Sequence, residues 1–201
     1  ISNAGIITFK TAPDYETTTS YTATVTVSDG ALEATQTIAV NVNNLNDNTP
    51  SITSSASMSA DENQTAITTV TASDADGDLN SVTFSVSGSE LAITSAGVLT
   101  FASAPDFETK SSYTATVTAT DGTNSSTQDI TVSVNDINEA PTFTSGTSFS
   151  ADENQTAIGT ATASDVDANS SLSFSISGSE LAITSDGVIS FVSAPDYETK
   201  S

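Results

Sequence analysis

The residues of this chain that could do chemistry are carboxylates, and they return at a steady interval. Asp14-Tyr15-Glu16 recurs as Asp106-Phe107-Glu108 and as Asp196-Tyr197-Glu198, 92 and then 90 residues on. Glu62, in the run Asp61-Glu62-Asn63, recurs 91 residues later as Glu153 in Asp152-Glu153-Asn154. Asp74-Ala75-Asp76 recurs after another 91 as Asp165-Val166-Asp167. A catalytic centre usually occurs once in a chain, whereas a metal that holds neighbouring modules together is needed at every joint. Carboxylates mixed with Asn and backbone oxygens are the ordinary ligand set of calcium, which accepts six to eight oxygens in flexible geometry. Magnesium demands a stricter octahedron and keeps its waters, so it fits a crowded carboxylate cluster poorly. Histidine and cysteine are both absent, which removes the nitrogen and sulfur ligands of zinc and copper.

The composition closes off other functions. Of 201 residues, 25 are acidic and three are lysine, with a formal charge of −22. Nothing here could replace the counterions around nucleic-acid phosphates or hold an anionic membrane surface. Without histidine or cysteine there is neither a nucleophilic triad nor a disulfide framework. Paired carboxylates can hydrolyse glycosides, but such a pair would not be needed in every repeat, and no Trp platform accompanies it. Hence we expect no enzyme. No apolar run is long enough for a transmembrane helix. Ile1 is not a natural start, so we expect targeting and anchoring segments to lie outside this stretch.

The elements that must position the acids are strands. Tyr113, Ala115, Val117 and Ala119 alternate with threonines, the period of a half-buried strand rich in β-branched residues. Val82, Phe84 and Val86 repeat the pattern, as do Ile130, Val132 and Val134, and Leu99 with Phe101 supplies a further strand. Asp121-Gly122-Thr123-Asn124 separates two of these runs as a turn does. Met58 aligns with Phe149, and both read as core. Self-comparison divides the chain into residues 1–48, the second half of one module, 49–139, a complete module, and 140–201, the first part of the next. We expect an all-β protein: tandem Greek-key, seven-stranded β-sandwiches of immunoglobulin-like type in a linear array.

The ordered set of D-E-N, D-A-D, D-F-E, A-T-D-G and D-I-N-E-A-P resembles the cadherin repeat over essentially the whole chain. That resemblance implies calcium ions, typically three, at each joint between modules. The first joint would then use Asp14 and Glu16 from above, Asn44, Asn46, Asp47 and Asn48 from the linker, and Asp74, Asp76, Asn80 and Asp121 from below. Asn44 stands where the family usually has Asp. The second joint would use Glu62, Asp106 and Glu108, then Asp136, Asn138 and Glu139, then Asp165 and Asp167. Its linker is one residue shorter than the family pattern. Glu153, Asp196 and Glu198 would serve a third joint, and Asp29 one upstream. The second joint holds seven of these carboxylates, whose charge three calcium ions would nearly neutralise. Unneutralised, charges this close repel by on the order of several kcal/mol.

Asp and Asn also favour plain solvated turns, the bland reading of the same residues. An EF-hand loop at Asp74–Asp78 fails, because Gly77 precedes Asp78 and Ser85 stands where the bidentate Glu belongs. Asn63, Asn124, Asn154 and Asn169 begin glycosylation-type triplets, which mean little in a bacterial source of the kind this Ser/Thr-rich, Cys-free style suggests. The sequence therefore points to an extracellular, surface-located protein of bacterial type. Its first function is a calcium-stiffened stalk or filament segment of a large adhesin. The alternative is an adhesive module that itself contacts a partner protein or glycan, and an accessory region of a secreted enzyme comes third. Expected partners are calcium ions and adjacent repeats, with like chains, surface proteins or glycans left open.

Overall fold

The computed structural model describes residues 1–2, 4–77, 81–168 and 170–199. Every element among them is a strand, so the protein is all-β as the alternation predicts. It divides into two compact units, residues 1–106 with 110–135, and residues 107–109 with 136–201.

The first unit opens with a hairpin of β1 (Ser20–Ser28) and β2 (Glu33–Asn41), paired from Ser20↔Asn41 to Ser28↔Glu33. A sandwich follows, made of β3 (Ser51–Ile52), β4 (Ser57–Asp61), β5 (Ala66–Thr69), β6 (Ala72–Ser73), β7 (Thr83–Val86), β8 (Leu91–Ile93), β9 (Val98–Phe101), β10 (Ser112–Thr120) and β11 (Ser125–Asn135). One sheet runs β4-β11-β10-β7 and the other β5-β9-β8, with β3 paired to β6. Counting β3 with β4 and β5 with β6 as single interrupted strands gives the expected seven. The β4–β11 pairing is parallel, while β10 pairs antiparallel with both β11 and β7.

The core lies where the alternation places it. Leu99, Val117, Ala119 and Val132 are fully buried, and Ile130, Phe101 and Val70 nearly so. Threonines on the opposite face of β10 stay nearer solvent, which is why a 9-residue strand can be half Thr. Lys110 pairs with Glu90 and sits 4.4 Å from the centroid of the Tyr113 ring. Gly97 allows the sheets to close: its φ is +89°, and a Cβ there would lie 2.2 Å from the Val70 carbonyl oxygen. We expect Gly97→Ala to cost roughly 2 kcal/mol or more through strain and overlap, a drop of roughly 10 °C in melting temperature. An unchanged thermal melt would contradict this close approach.

The second unit repeats part of that plan. It contains β12 (Thr142–Phe143), β13 (Ala157–Thr160), β14 (Ala163–Ser164), β15 (Leu181–Ile183) and β16 (Val188–Phe191), in sheets β12-β14 and β13-β16-β15. These match β3, β5, β6, β8 and β9 in order and pairing. Residues 148–152 and 173–176, equivalent to β4 and β7, are not in strands. Phe149, read from the sequence as core, is 43% exposed, since residues 140–199 do not extend to an equivalent of β11, the strand that pairs beside Met58 in the complete module.

Candidate metal centre

The linker and loops of the first unit bring the first acidic set together. Glu16, Asp47 and Asp76 each place a carboxylate oxygen within 4.8 Å of the others, and Asp74, Asp76 and Asp121 do the same. Asp76 belongs to both groups and is only 4% exposed; Asp121 is 6% exposed. Local turns hold these side chains. The Asp76 backbone N–H donates to Asp74 Oδ1 at 2.9 Å, a two-residue Asx turn. The Thr123 and Asn124 N–H groups donate to Asp121 Oδ1 at 2.7 and 2.6 Å in the turn between β10 and β11. Burial pushes the Asp121 carboxyl upward, but these N–H donors outweigh it and hold it below the usual carboxylate range. Glu16 is raised instead, first by loss of solvent, with the charges of Asp76 and Asp14 pushing the same way against its own backbone N–H.

The linker is tied down by amides. Asn48 donates to both Asp76 oxygens, from its N–H at 2.9 Å and its Nδ2 at 2.7 Å. Asn44 Nδ2 donates to the Asp76 carbonyl oxygen at 3.0 Å, and Asn46 Nδ2 to Thr123 Oγ1 at 3.1 Å. Asn124 Nδ2 donates to the Asn48 carbonyl oxygen at 2.7 Å. Sequence reasoning passed over Asn124 as a site residue, although its place three residues after Asp121 was a usable signal.

Two oxygens at this centre are buried and make no hydrogen bond, Asn44 Oδ1 and Asp74 Oδ2. Buried polar atoms are nearly always satisfied, so each such acceptor asks for a positive partner. Beside the amide donors, carboxylate oxygens of both groups converge here. The residues present therefore fit a hard cation with oxygen ligands, and calcium fits better than metals that need nitrogen, sulfur or a strict octahedron.

Other predicted residues gather in smaller groups. Glu62, 3% exposed, and Asp106 bring carboxylate oxygens within 4.8 Å. Asn63 next to Glu62 takes a left-handed backbone (φ 61°), which Asn tolerates, and donates its N–H to the Pro105 carbonyl at 2.9 Å. In the second unit, Glu108, Glu139 and Asp167 meet within the same 4.8 Å limit, and so do the exposed Glu153, Asp196 and Glu198. Asp167 Oδ2 accepts the Glu139 N–H at 2.8 Å, while the buried Asp167 Oδ1 makes no hydrogen bond. Asp14, Asp29, Asp136 and Asp165 join no such group among the described residues. Asp14 instead accepts from Thr17 Oγ1 at 2.8 Å, and Asp165 Oδ1 from the Asp167 N–H at 3.0 Å. Asn138 turns its Nδ2 to the Glu139 carbonyl oxygen at 2.8 Å. Asn80 lies outside the described residues.

Comparison with known proteins bears on what such a sandwich is. Residues 54–135 match the family described as the cadherin domain. Residues 54–135 are cadherin-like. Over 198 residues it is 31% identical to protocadherin Fat 4 of Mus musculus, spanning 87% of this chain and 4% of that protein. Over 147 residues it is 35% identical to chitinase A of Pseudoalteromonas piscicida, spanning 69% of this chain and 17% of that one. The chain thus covers a small part of either relative's length. The structure of mouse cadherin-23 EC22-24 superposes with a TM-score of 0.56 and 25% identity, over 92% of this chain and 68% of that one. Cadherin domains are non-enzymatic, extracellular adhesion-type repeats, and that is the class of residues 54–135. No helix among the described residues is long and apolar enough to cross a membrane.

Proposed function

We propose that these acidic groups are calcium sites at the joints between successive cadherin-like repeats, with boundaries near residues 48 and 139. The array would then serve as a stiffened stalk or filament segment of a large cell-surface adhesin. The observation that carries this reading is Asp76. One buried carboxylate is shared by two acidic groups and clasped by the linker residue Asn48. Bound calcium would supply the positive charge that lets these acceptors converge. The chain's own contribution is to fix linker and loops together through Asn44, Asn48 and Asn124, so that joint geometry follows the acidic groups.

The test is calorimetric calcium titration beside thermal melting in calcium and in chelator. Absence of binding, or melts that coincide, would sink the reading. For the second acidic set, Glu108→Ala is expected to weaken calcium binding there by roughly tenfold or more, since it deletes one carboxylate from the group with Glu139 and Asp167. Its chelator melt should match the parent's, because the Glu108 side chain is exposed rather than in the core.

A second reading has its own support. The likeness to chitinase A favours an accessory segment of a larger secreted enzyme, and repeats of this kind would space catalytic and binding parts there just as they would in an adhesin. A third, direct adhesion through a repeat-specific surface, predicts glycan or protein binding by the 201-residue chain alone, which an array screen would detect.

A further inference from the structure

Basic residues are as scarce in this chain as acids are abundant, and two of the three lysines hold one place in the repeat. Lys110 follows Glu90 by 20 residues, and Lys200, which lies outside the described residues, follows Glu180 by the same interval. The Lys110 N–H donates to the Asp106 carbonyl oxygen at 2.9 Å and closes a single helical turn over residues 106–110. That turn carries Asp106, whose carboxylate meets that of the buried Glu62. It does not need a lysine to form. In residues 1–48 Thr18 takes the place of Lys110, and its N–H donates to the Asp14 carbonyl oxygen at the same 2.9 Å. What Lys110 adds must therefore come from its side chain.

That side chain meets the Glu90 carboxylate through Nζ and lies 4.4 Å from the centroid of the Tyr113 ring. Both partners are fixed. Glu90 immediately precedes β8, and its carbonyl oxygen accepts the Ala102 N–H at 2.9 Å just where the chain leaves β9. Tyr113 stands on β10 and packs edge-on against the buried Phe101, with ring centroids 5.1 Å apart. The loop between β9 and β10 is thus held at Ala102 by Glu90, at Pro105 by the Asn63 N–H, and at Lys110 by Glu90 and Tyr113. Asn63 is the neighbour of Glu62, so the second of these holds also sets the loop against the buried carboxylate. Only the third is made by side chains alone. The Lys110 and Glu90 side chains are 41% and 55% exposed, so their pairing adds little to the stability of the sandwich.

We propose that Lys110 is a positioning residue for calcium at Glu62 and Asp106, bracing the loop of residues 102–111 against β8 and β10; this rests on the calcium reading above. A free ammonium so near an acidic group would compete with calcium for the same carboxylates. Glu90 and the Tyr113 ring occupy it instead, and the charge becomes an anchor.

A site-resolved titration tests this. The amide signals of Asp106 and Asp121 are followed by two-dimensional NMR as calcium is added to the 201-residue chain. The salt is about 0.15 M, at which exposed charges beyond about 8 Å are largely screened. Lys110→Gln should raise the calcium midpoint at Asp106 roughly threefold to tenfold, the scale of an exposed ion pair with a ring contact. The midpoint at Asp121 should not move. Glu90→Gln should weaken the Asp106 response by a similar factor, and the double variant no more than either alone. Charge alone predicts otherwise, since removing a cation tightens calcium binding and removing an anion loosens it. Lys110→Arg keeps the charge and can stack on the ring, so its midpoint should return to within about twofold of the parent's. A Lys110→Gln midpoint at or below the parent's, additive effects of the two substitutions, or no recovery with Arg would each overturn the proposal. In chelator the variants should melt within about 3 °C of the parent; a larger loss would make the brace part of the general fold and overturn it too. An Asp106 signal indifferent to calcium in the parent would sink the calcium reading itself and the proposal with it.

Discussion

Removing calcium is expected to lower the melting temperature of the complete cadherin module by roughly 10–20 °C, and to broaden the dimensions read by small-angle scattering. A ligand held only by the folded state stabilises it by about 2.7 kcal/mol when present at about a hundred times its dissociation constant. A domain of this size shifts by roughly 4–8 °C per kcal/mol, so one such site accounts for the change. The direction follows from the acids. Glu62, Asp76 and Asp121 are buried, and Asp76 meets Asp74, Asp121, Glu16 and Asp47. The cost of crowding these carboxylates falls on the folded state alone, since the unfolded chain spreads them. The sandwich should persist without calcium, because Leu99, Val117 and Val132 lie on strands rather than at the linker. Equal melts in calcium and chelator would leave the acidic groups as turn chemistry.

Much of this arrangement was legible in the sequence. Alternation located β10 and β11 because a half-buried strand writes its burial directly into every second residue. The carboxylate period located the acidic groups, since each copy repeats the same turns. Self-comparison also marked residues 140–201 as only the first part of a module, so strands there lack the partners that the complete module supplies. Residues 173–176 and 83–86 are nearly the same peptide, yet only the second is a strand, because β10 lies beside it. Polar roles were ambiguous. Asn44 looked like a lost charge, but an amide donates as well as accepts: its Nδ2 holds the Asp76 carbonyl while its Oδ1 faces inward without a donor. Asp14 and Asp165 share the period of their neighbours but join no acidic group among the described residues, although Asp165 makes the same Asx turn as Asp74.

Asp76→Asn should test the shared metal site most sharply, because that reading alone has the variant lose a calcium gain that the parent shows. The parent carboxylate accepts two hydrogen bonds from Asn48, 2.9 Å from its N–H and 2.7 Å from its Nδ2. The amide has one acceptor oxygen, so one of those bonds is lost, at about 1 kcal/mol. In chelator the removal of a charge from two acidic groups works the other way, and the variant should melt within about 5 °C of the parent. In calcium it should gain little, since both groups lose their shared anionic ligand, and the affinity measured by titration should fall by roughly a hundredfold or more. Leu99→Ala would behave differently, lowering both melts together by about 2–5 kcal/mol while the calcium gain survives. Asp129→Asn supplies the charge control. Asp129 accepts from Thr116 Oγ1 at 2.7 Å on β11 and belongs to no acidic group among the described residues, so its loss should leave the calcium gain intact. A full calcium gain in Asp76→Asn would refute the shared site, because no other described residue joins both acidic groups.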